Sequence, residues 1–316
     1  MEMSDITQVG VVGAGTMGSC IAELFAESGY EVIWYNRSEA GMQRGLARVW
    51  SNQQVLMRHK MLTPTDAEAA LARLHPTDDL DALSSVDLIS ESVAENLALK
   101  QELFGVLDRL CHREAILTTD TSGLPIASIA TALSNPARFA GMHFYNPPHL
   151  MPLMEIIKGD NTSDATCALL LALAQRLHKQ AVFVQKDVPG FVANRLQGAL
   201  LREALHLIEA GIASPADIDT AMKHGLGLRW AFLGPLEIMD LAGLDVANTV
   251  CGYLFAALSD TKDVSKVLQD LVAAGKLGAK SGAGFYDYPA DKAQCIMDDR
   301  DVKLLKLLQL KSQSEI

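Results

Sequence analysis

Over residues 1–187, short runs of β-branched and apolar residues alternate with stretches whose apolar positions recur at helical spacing. That alternation is how a parallel sheet covered by helices reads. Gln8–Val12 is a short apolar strand. Residues 16–28 place Ile21, Leu24 and Phe25 on one helical face, and Gly29 stands where a C-capping glycine ends a helix. Glu31–Tyr35 gives the next strand, and further strands are expected at 87–90, 115–119, 139–145, Leu153–Ile157 and 181–185. From Val188 the pattern changes to helix and turn only. Pro189-Gly190 marks the break, and residues 194–210 then repeat Leu196, Leu200, Ala204, Leu205 and Ile208 on one face. Ser214-Pro215 and Gly234-Pro235 open further helices, since serine caps and proline is tolerated in the first turn. Residues 301–311 read as a leucine-rich amphipathic helix. The expected architecture is an α/β domain, 1–187, with a doubly wound sheet, followed by an all-helical domain, 188–316. No solenoid-type repeat interrupts it.

The composition fits two globular cores. A chain of 316 residues exceeds what one core usually supports, and 49% apolar with 21% charged residues is a folded balance. A net charge of −11 argues against nucleic acid or an anionic membrane as partner, because both require clustered Lys and Arg. The opening MEMSDITQV lacks the basic segment of a signal peptide, and no apolar run nears the ~20 residues of a membrane span. A cytoplasmic location is expected. Cys20, Cys111, Cys167, Cys251 and Cys295 are scattered, odd in number and form no CxxC, so neither a disulfide framework nor a metal site is expected.

Chemistry enters at the first strand–helix junction, Gly13-Ala14-Gly15-Thr16-Met17-Gly18. A GxGxxG between a strand and a helix is a dinucleotide fingerprint. Gly13 permits the tight turn, Gly15 lets backbone approach a pyrophosphate, and Gly18 allows close packing of the helix, whose N-terminus faces the phosphates. The α/β domain is therefore expected to be of Rossmann type and to bind NAD or NADP. At the end of the second strand, where NAD sites usually carry an acid for the ribose 2′-hydroxyl, stand Asn36-Arg37-Ser38. Asn36 removes the anion that repels a 2′-phosphate, and Arg37 offers a planar cation, so NADP is favoured slightly over NAD. The other reading leaves Arg37 in solvent and Asn36 on the ribose of NAD.

Four polar residues lie near the ends of predicted elements: Ser122 in TDTSG, His143 in GMHFYNPP, Glu155 in PLMEII and Asn194 in KDVPGFVANR. With GAGTMG, ESVAENLALKQELF and KLGAKSGAGFYDY, these segments resemble the L-3-hydroxyacyl-CoA dehydrogenase family along nearly the whole chain. The resemblance implies that His143 is the general base, Glu155 its orienting carboxylate, and Ser122 and Asn194 donors near the reacting oxygen. It also implies that Glu95, Lys100, Asn146 and Lys280 contact the cofactor, and that the chain pairs as a homodimer through its helical domain. The chemistry agrees: a carbinol losing hydride must also lose a proton, which an imidazole beside a carboxylate takes near neutral pH. Taken singly, each residue has a structural alternative: a satisfied core histidine, a buried ion pair, a turn cap, a helix cap. His149 in NPPHLMP is expected to line the pocket rather than act.

Asp120-Thr121-Ser122-Gly123, Pro152 and GLGLRWAFLGPLE depart from the acyl-CoA pattern and resemble the family's branch acting on small hydroxy acids, such as gulonate, carnitine and pyridine carboxylates. Arg229 suits a substrate carboxylate through two parallel bonds, or is a surface or intersubunit residue. The favoured substrate is thus a small 3-hydroxy acid interconverted with its keto form. The alternative is a 3-hydroxyacyl-CoA, with Arg58 and Lys60 as phosphate contacts. A third reading, a non-catalytic cofactor-binding structural or redox-sensing protein, does not account for the four polar residues together.

Overall fold

The structure is a computed structural model describing residues 5–313. The chain divides into two compact units, Met1–Arg195 and Leu196–Ile316. The first is built on one eight-stranded sheet: β1 (Gln8–Val12), β2 (Glu31–Tyr35), β3 (Leu74–Thr77), β4 (Leu88–Glu91), β5 (Ile116–Thr119), β6 (Phe139–Phe144), β7 (Leu153–Ile157) and β8 (Gln180–Val184). The spatial order is β3-β2-β1-β4-β5-β6-β7-β8, reversing direction between β1 and β4. That reversal opens a crevice at the carboxyl ends of the strands, where open α/β sheets bind ligands. Around the sheet lie α1 (Thr16–Glu27), α2 (Glu39–Arg58), α3 (Pro64–Ala72), α4 (Leu97–Leu110), α5 (Ile126–Ala130) and α6 (Asp164–Arg176).

Strand alternation splits the core between the two faces. Val9 and Val11 of β1 join Ile21, Phe25 and Trp34 on one face. Val12 joins Ile89, Phe104 and Leu117 on the other. Helix starts follow their capping residues: Ser38 accepts from the Gly41 amide, Asn96 from Leu99 and Ser163 from Thr166, each satisfying an otherwise orphan amide.

Two sequence expectations need correction. The strand β3 is absent from the predicted elements; its LHPT has no apolar alternation and carries Pro76, which is tolerated because β3 lies at the edge of the sheet. Nor is the sheet wholly parallel. The strand β7 runs antiparallel to β6, with β8 parallel to β7. Eight residues, 145–152, join β6 to β7, fewer than the dozen or more of a parallel crossover.

Apart from two isolated β-bridges, Gly278–Ala283 and Ala283–Asp287, the regular structure of the second unit among its described residues is a set of helices. These are α7 (Ala193–Glu209, whose first turn lies in the first unit), α8 (Pro215–Ala221), α9 (Gly227–Trp230), α10 (Pro235–Ala242), α11 (Leu244–Leu254), α12 (Lys266–Ala273) and α13 (Ala290–Gln313). Ser214 caps α8 through the Asp217 amide and Pro235 begins α10, as their sequence signals require. Large apolar side chains stay exposed in the single chain, including Leu236 (73%), Leu241 (75%) and Tyr253 (67%). Among the described residues no single helix is long and apolar enough to cross a membrane; α10 and the helical segment after it pass by composition only as a pair bent by 114°.

Candidate active site

At the crevice, β1 runs into the loop of the fingerprint. The Gly13 amide donates to Tyr35 O, and the Trp34 indole donates to Gly13 O at 2.9 Å, fixing the loop against β2. Gly13 has φ +113°, and a Cβ there would lie 2.7 Å from Ser92 O of the neighbouring loop. A Cβ on Gly18 would strike the carbonyl of Gly13, so α1 packs directly on its own loop. Gly15 faces open space, which leaves its backbone free to approach a ligand. Thr16 is exposed at the first turn of α1, and Met17 packs partly against the core. A cavity of about 530 Å³ lies here, lined by Gly13, Gly15, Asn36, Arg37, Ser92 and Val93 among others. The residues present therefore fit a dinucleotide. The Asn36 side chain joins two loops, accepting from the Ala14 amide at 3.3 Å and donating to Ser38 O at 2.7 Å. Arg37 is exposed on the rim.

The antiparallel pairing of β6 and β7 sets His143 opposite Glu155. Neighbours Met142 and Met154 face one core cluster, so His143 and Glu155 share the opposite face of the sheet. His143 Nδ1 lies 2.9 Å from Glu155 Oε2, with the residues 4% and 0% exposed. The other carboxylate oxygen accepts from the amides of Val192 and Ala193, both at 3.0 Å, at the start of α7. Burial pushes the Glu155 carboxyl upward, but the His143 bond and those two amides outweigh it and hold it below its ordinary value. A carboxylate on Nδ1 places the ring proton there and leaves Nε2 as the basic nitrogen. Tyr145 and Phe191 stack edge-on and tilted against the ring, at centroid distances of 5.3 and 5.6 Å.

Asn194 and Ser122 come together beside this pair. Asn194 Nδ2 donates to Ser122 O at 3.1 Å, while Tyr145 OH donates to Asn194 Oδ1 at 3.1 Å. Glu95 Oε1 holds the Ser122 turn, accepting from Thr121 Oγ1 at 2.6 Å and from the Ser122 and Gly123 amides at 3.0 and 3.3 Å. Lys100, 1% exposed, donates to Glu91 Oε1 at 2.6 Å and lies 3.6 Å from Glu95 Oε2. Its ammonium is thus embedded under the turn. Asn146 is exposed at the start of the 145–152 connector. Arg229 on α9 and Lys280 in the 3-10 turn Ala279–Ser281 are exposed residues of the second unit.

Sequence reasoning misses Glu91, Asp120 and Tyr145. Glu91 carries a signal: it is an acid at the end of a fully buried strand that opens on Leu88 and Ile89, and it accepts from Lys100, Thr119 Oγ1 and the Val93 amide. Asp120 Oδ1 accepts from the Phe144 amide, next to His143, at 2.8 Å. Burial pushes the Asp120 carboxyl well above its usual range, Phe144 opposes this, and the charge of Glu91 adds to it.

Comparison with known proteins gives matches across the chain. The family model described as 3-hydroxyacyl-CoA dehydrogenase, NAD binding domain, matches residues 8–188, and the C-terminal domain model matches residues 190–288. The 5-formyl-3-hydroxy-2-methylpyridine 4-carboxylate 5-dehydrogenase of Mesorhizobium japonicum is 36% identical, over 96% of this chain and 98% of its own. A probable 3-hydroxybutyryl-CoA dehydrogenase of Bacillus subtilis is 38% identical over 90% and 98%. Among solved structures, a 5-dehydrogenase of the same pyridine carboxylate, described as an NAD⁺-dependent dismutase, superposes with TM-score 0.91 at 35% identity, covering 96% of this chain and 98% of that one. The (S)-3-hydroxybutyryl-CoA dehydrogenase of Ralstonia eutropha gives 0.76 at 38% identity, covering 90% and 100%.

Proposed function

Because the chain belongs to the 3-hydroxyacyl-CoA dehydrogenase family, we propose that it is an NAD-dependent dehydrogenase interconverting a small 3-hydroxy carboxylate and its keto form. One observation carries this reading: His143 Nδ1 is anchored on a carboxylate whose other oxygen is saturated by two amides, leaving Nε2 for a substrate oxygen. NAD, when bound, supplies the hydride acceptor. His143 takes the hydroxyl proton as the carbonyl forms and returns it in the reverse direction. Glu155 orients the imidazole through Nδ1. Ser122 and Asn194 are the donors for charge that develops on the reacting oxygen. Gly13, Gly15, Thr16, Met17 and Gly18 would cradle the dinucleotide, and Glu95 and Asn146 would be further contacts to it. Lys100 lies beneath Glu95, 3.6 Å from its carboxylate.

The match to the pyridine-carboxylate enzyme spans more of this chain than that to a hydroxybutyryl-CoA enzyme, 96% against 90%, which supports a small acid over a thioester although the identities are similar, 35% and 38%. Arg58, the candidate CoA contact, donates instead to Gln54 O on its own helix at 3.1 Å. The test is a panel followed by absorbance of reduced nicotinamide. Free 3-hydroxy and keto acids, pyridine carboxylates included, are expected to turn over. Activity on acetoacetyl-CoA with none on free acids overturns the reading in favour of the acyl-CoA alternative. Failure on every substrate with cofactor bound favours the non-catalytic one.

The exposed Arg37 beside the cavity supports acceptance of NADP as well, through its 2′-phosphate. Arg37→Ala is expected to raise KM for NADP about tenfold, the effect of losing one charge-assisted bond, and to leave KM for NAD unchanged. An equal effect on both cofactors removes Arg37 from this role. The exposed apolar faces of α10 and α11 support a homodimer through the helical unit, since contiguous apolar surface of this kind normally meets a partner. A cytoplasmic location is consistent with this chemistry.

A further inference from the structure

We propose that Cys20, Glu23 and His149 form a binding site for a divalent transition metal of zinc type, on the face of the sheet away from His143. Cys20 and Glu23 are three residues apart on α1, so they share one helical face. His149 comes from the connector between β6 and β7. The thiol sulfur, a carboxylate oxygen and an imidazole nitrogen all lie within 4.8 Å of one another.

The setting is not that of ordinary core packing. Glu23 is 0% exposed and Cys20 2%. Glu23 Oε1 is buried with no hydrogen-bond partner, although a buried carboxylate oxygen normally has one. Its other oxygen accepts from Asn52 Nδ2 at 2.7 Å, and the same amide approaches Cys20 Sγ at 3.4 Å. Glu27, one turn along α1, also leaves Oε1 buried without a partner; burial pushes its carboxyl up to about 7. A dication bound here would satisfy Glu23 and take the charge of a thiolate, the Cys20 proton passing to solvent on binding.

The ligand set selects the metal. One sulfur, one imidazole nitrogen and one carboxylate oxygen suit zinc or a neighbouring first-row ion rather than magnesium or calcium, which prefer all-oxygen sites. Zinc bonds of about 2.0–2.3 Å place tetrahedral ligands about 3.3–3.8 Å apart, so the three atoms must close by roughly 1.5 Å at most. Side-chain rotation of Glu23 and His149 provides that. A water completes four ligands.

Such an ion would hold the 145–152 connector to α1. Lys179 already holds the same connector, donating to Pro148 O at 2.6 Å and Met151 O at 2.9 Å. The connector joins the strands of His143 and Glu155, so the metal would be a structural clamp near the catalytic pair.

Cobalt(II) serves as probe, because thiolate ligation gives a sulfur-to-metal charge-transfer band that zinc lacks. The full chain, stripped with a chelator and without cofactor, is titrated with cobalt(II) and then back-titrated with zinc. The expected result is a charge-transfer band saturating at one metal per chain and erased by zinc. Cys20→Ser is expected to abolish the band. His149→Ala is expected to weaken binding by at least ~100-fold, the upper range for losing even an outer-shell partner. Exposed Cys295→Ser should leave both unchanged. If Cys20→Ser does not fold, His149→Ala at its half-buried position still decides. Absence of the band in the unaltered protein, its persistence at full affinity in His149→Ala, or its loss in Cys295→Ser overturns the proposal.

Discussion

His143→Ala is expected to lower kcat by ~10²–10⁴-fold, the usual worth of general acid–base catalysis, while the dissociation constant for NAD changes less than about twofold. The separation follows from the architecture. His143 is on β6 and its partner on β7, whereas the dinucleotide loop is held by β1, β2 and the Ser92 turn. Stopped-flow turnover together with cofactor titration by fluorescence checks both numbers. Equal losses in kcat and in cofactor affinity would make His143 a packing residue and end the catalytic assignment. The variant also tests Glu155 indirectly. Because His143 and two amides lower the Glu155 pKa in the fold, that carboxylate stabilises the protein above its ordinary pKa and ceases to do so as pH falls through the lowered value. Without the imidazole, the contribution should shrink and acid unfolding should begin at higher pH.

How much of this is legible in the sequence depends on whether the signal is local. The unit β1–α1–β2 can be read because turn glycines, helical spacing and β-branched runs each fall within a dozen residues. The strand β3 cannot, since Leu74-His75-Pro76-Thr77 forms a strand only because β2 offers it an edge. The direction of β7 is not written in Leu-Met-Glu-Ile-Ile, which reads alike both ways. The connector length does carry it, as eight residues are too few for a parallel crossover. That direction matters most, because it sets position 143 opposite position 155. The polar web under Ser122 is partly visible as Glu91 directly after Leu88, Ile89 and Ser90, but its partner Lys100 resembles a cofactor contact, which hides its place in the web. Cys20, Glu23 and His149 give no local signal, because α1 and the β6–β7 connector meet only through the sheet's packing.

Lys100→Met is expected to destabilise the protein by ~3–5 kcal/mol, the cost of leaving a buried charge without its partner. Lys100 and Glu91 are 1% and 0% exposed, and their charged atoms are 2.6 Å apart. Methionine fills similar volume, so the loss reports charge rather than a cavity. Once the ammonium is gone, Glu91 keeps Thr119 Oγ1 and the Val93 amide, and its neighbours Glu95 and Asp120 are acids that supply no cation in its place. Glu95 also loses the cation beneath it, so its hold on the Thr121 hydroxyl and the Ser122 and Gly123 amides should loosen and KM for cofactor should rise alongside the fall in stability. Urea unfolding of the cofactor-free protein measures the first effect, and steady-state kinetics the second. Adding Glu91→Gln should restore more than half of the lost stability, because the uncompensated charge is then removed as well. A loss below ~1 kcal/mol for Lys100→Met alone, or no recovery in the double variant, would mean that water reaches this pair and that the turn carrying Ser122 rests on other contacts.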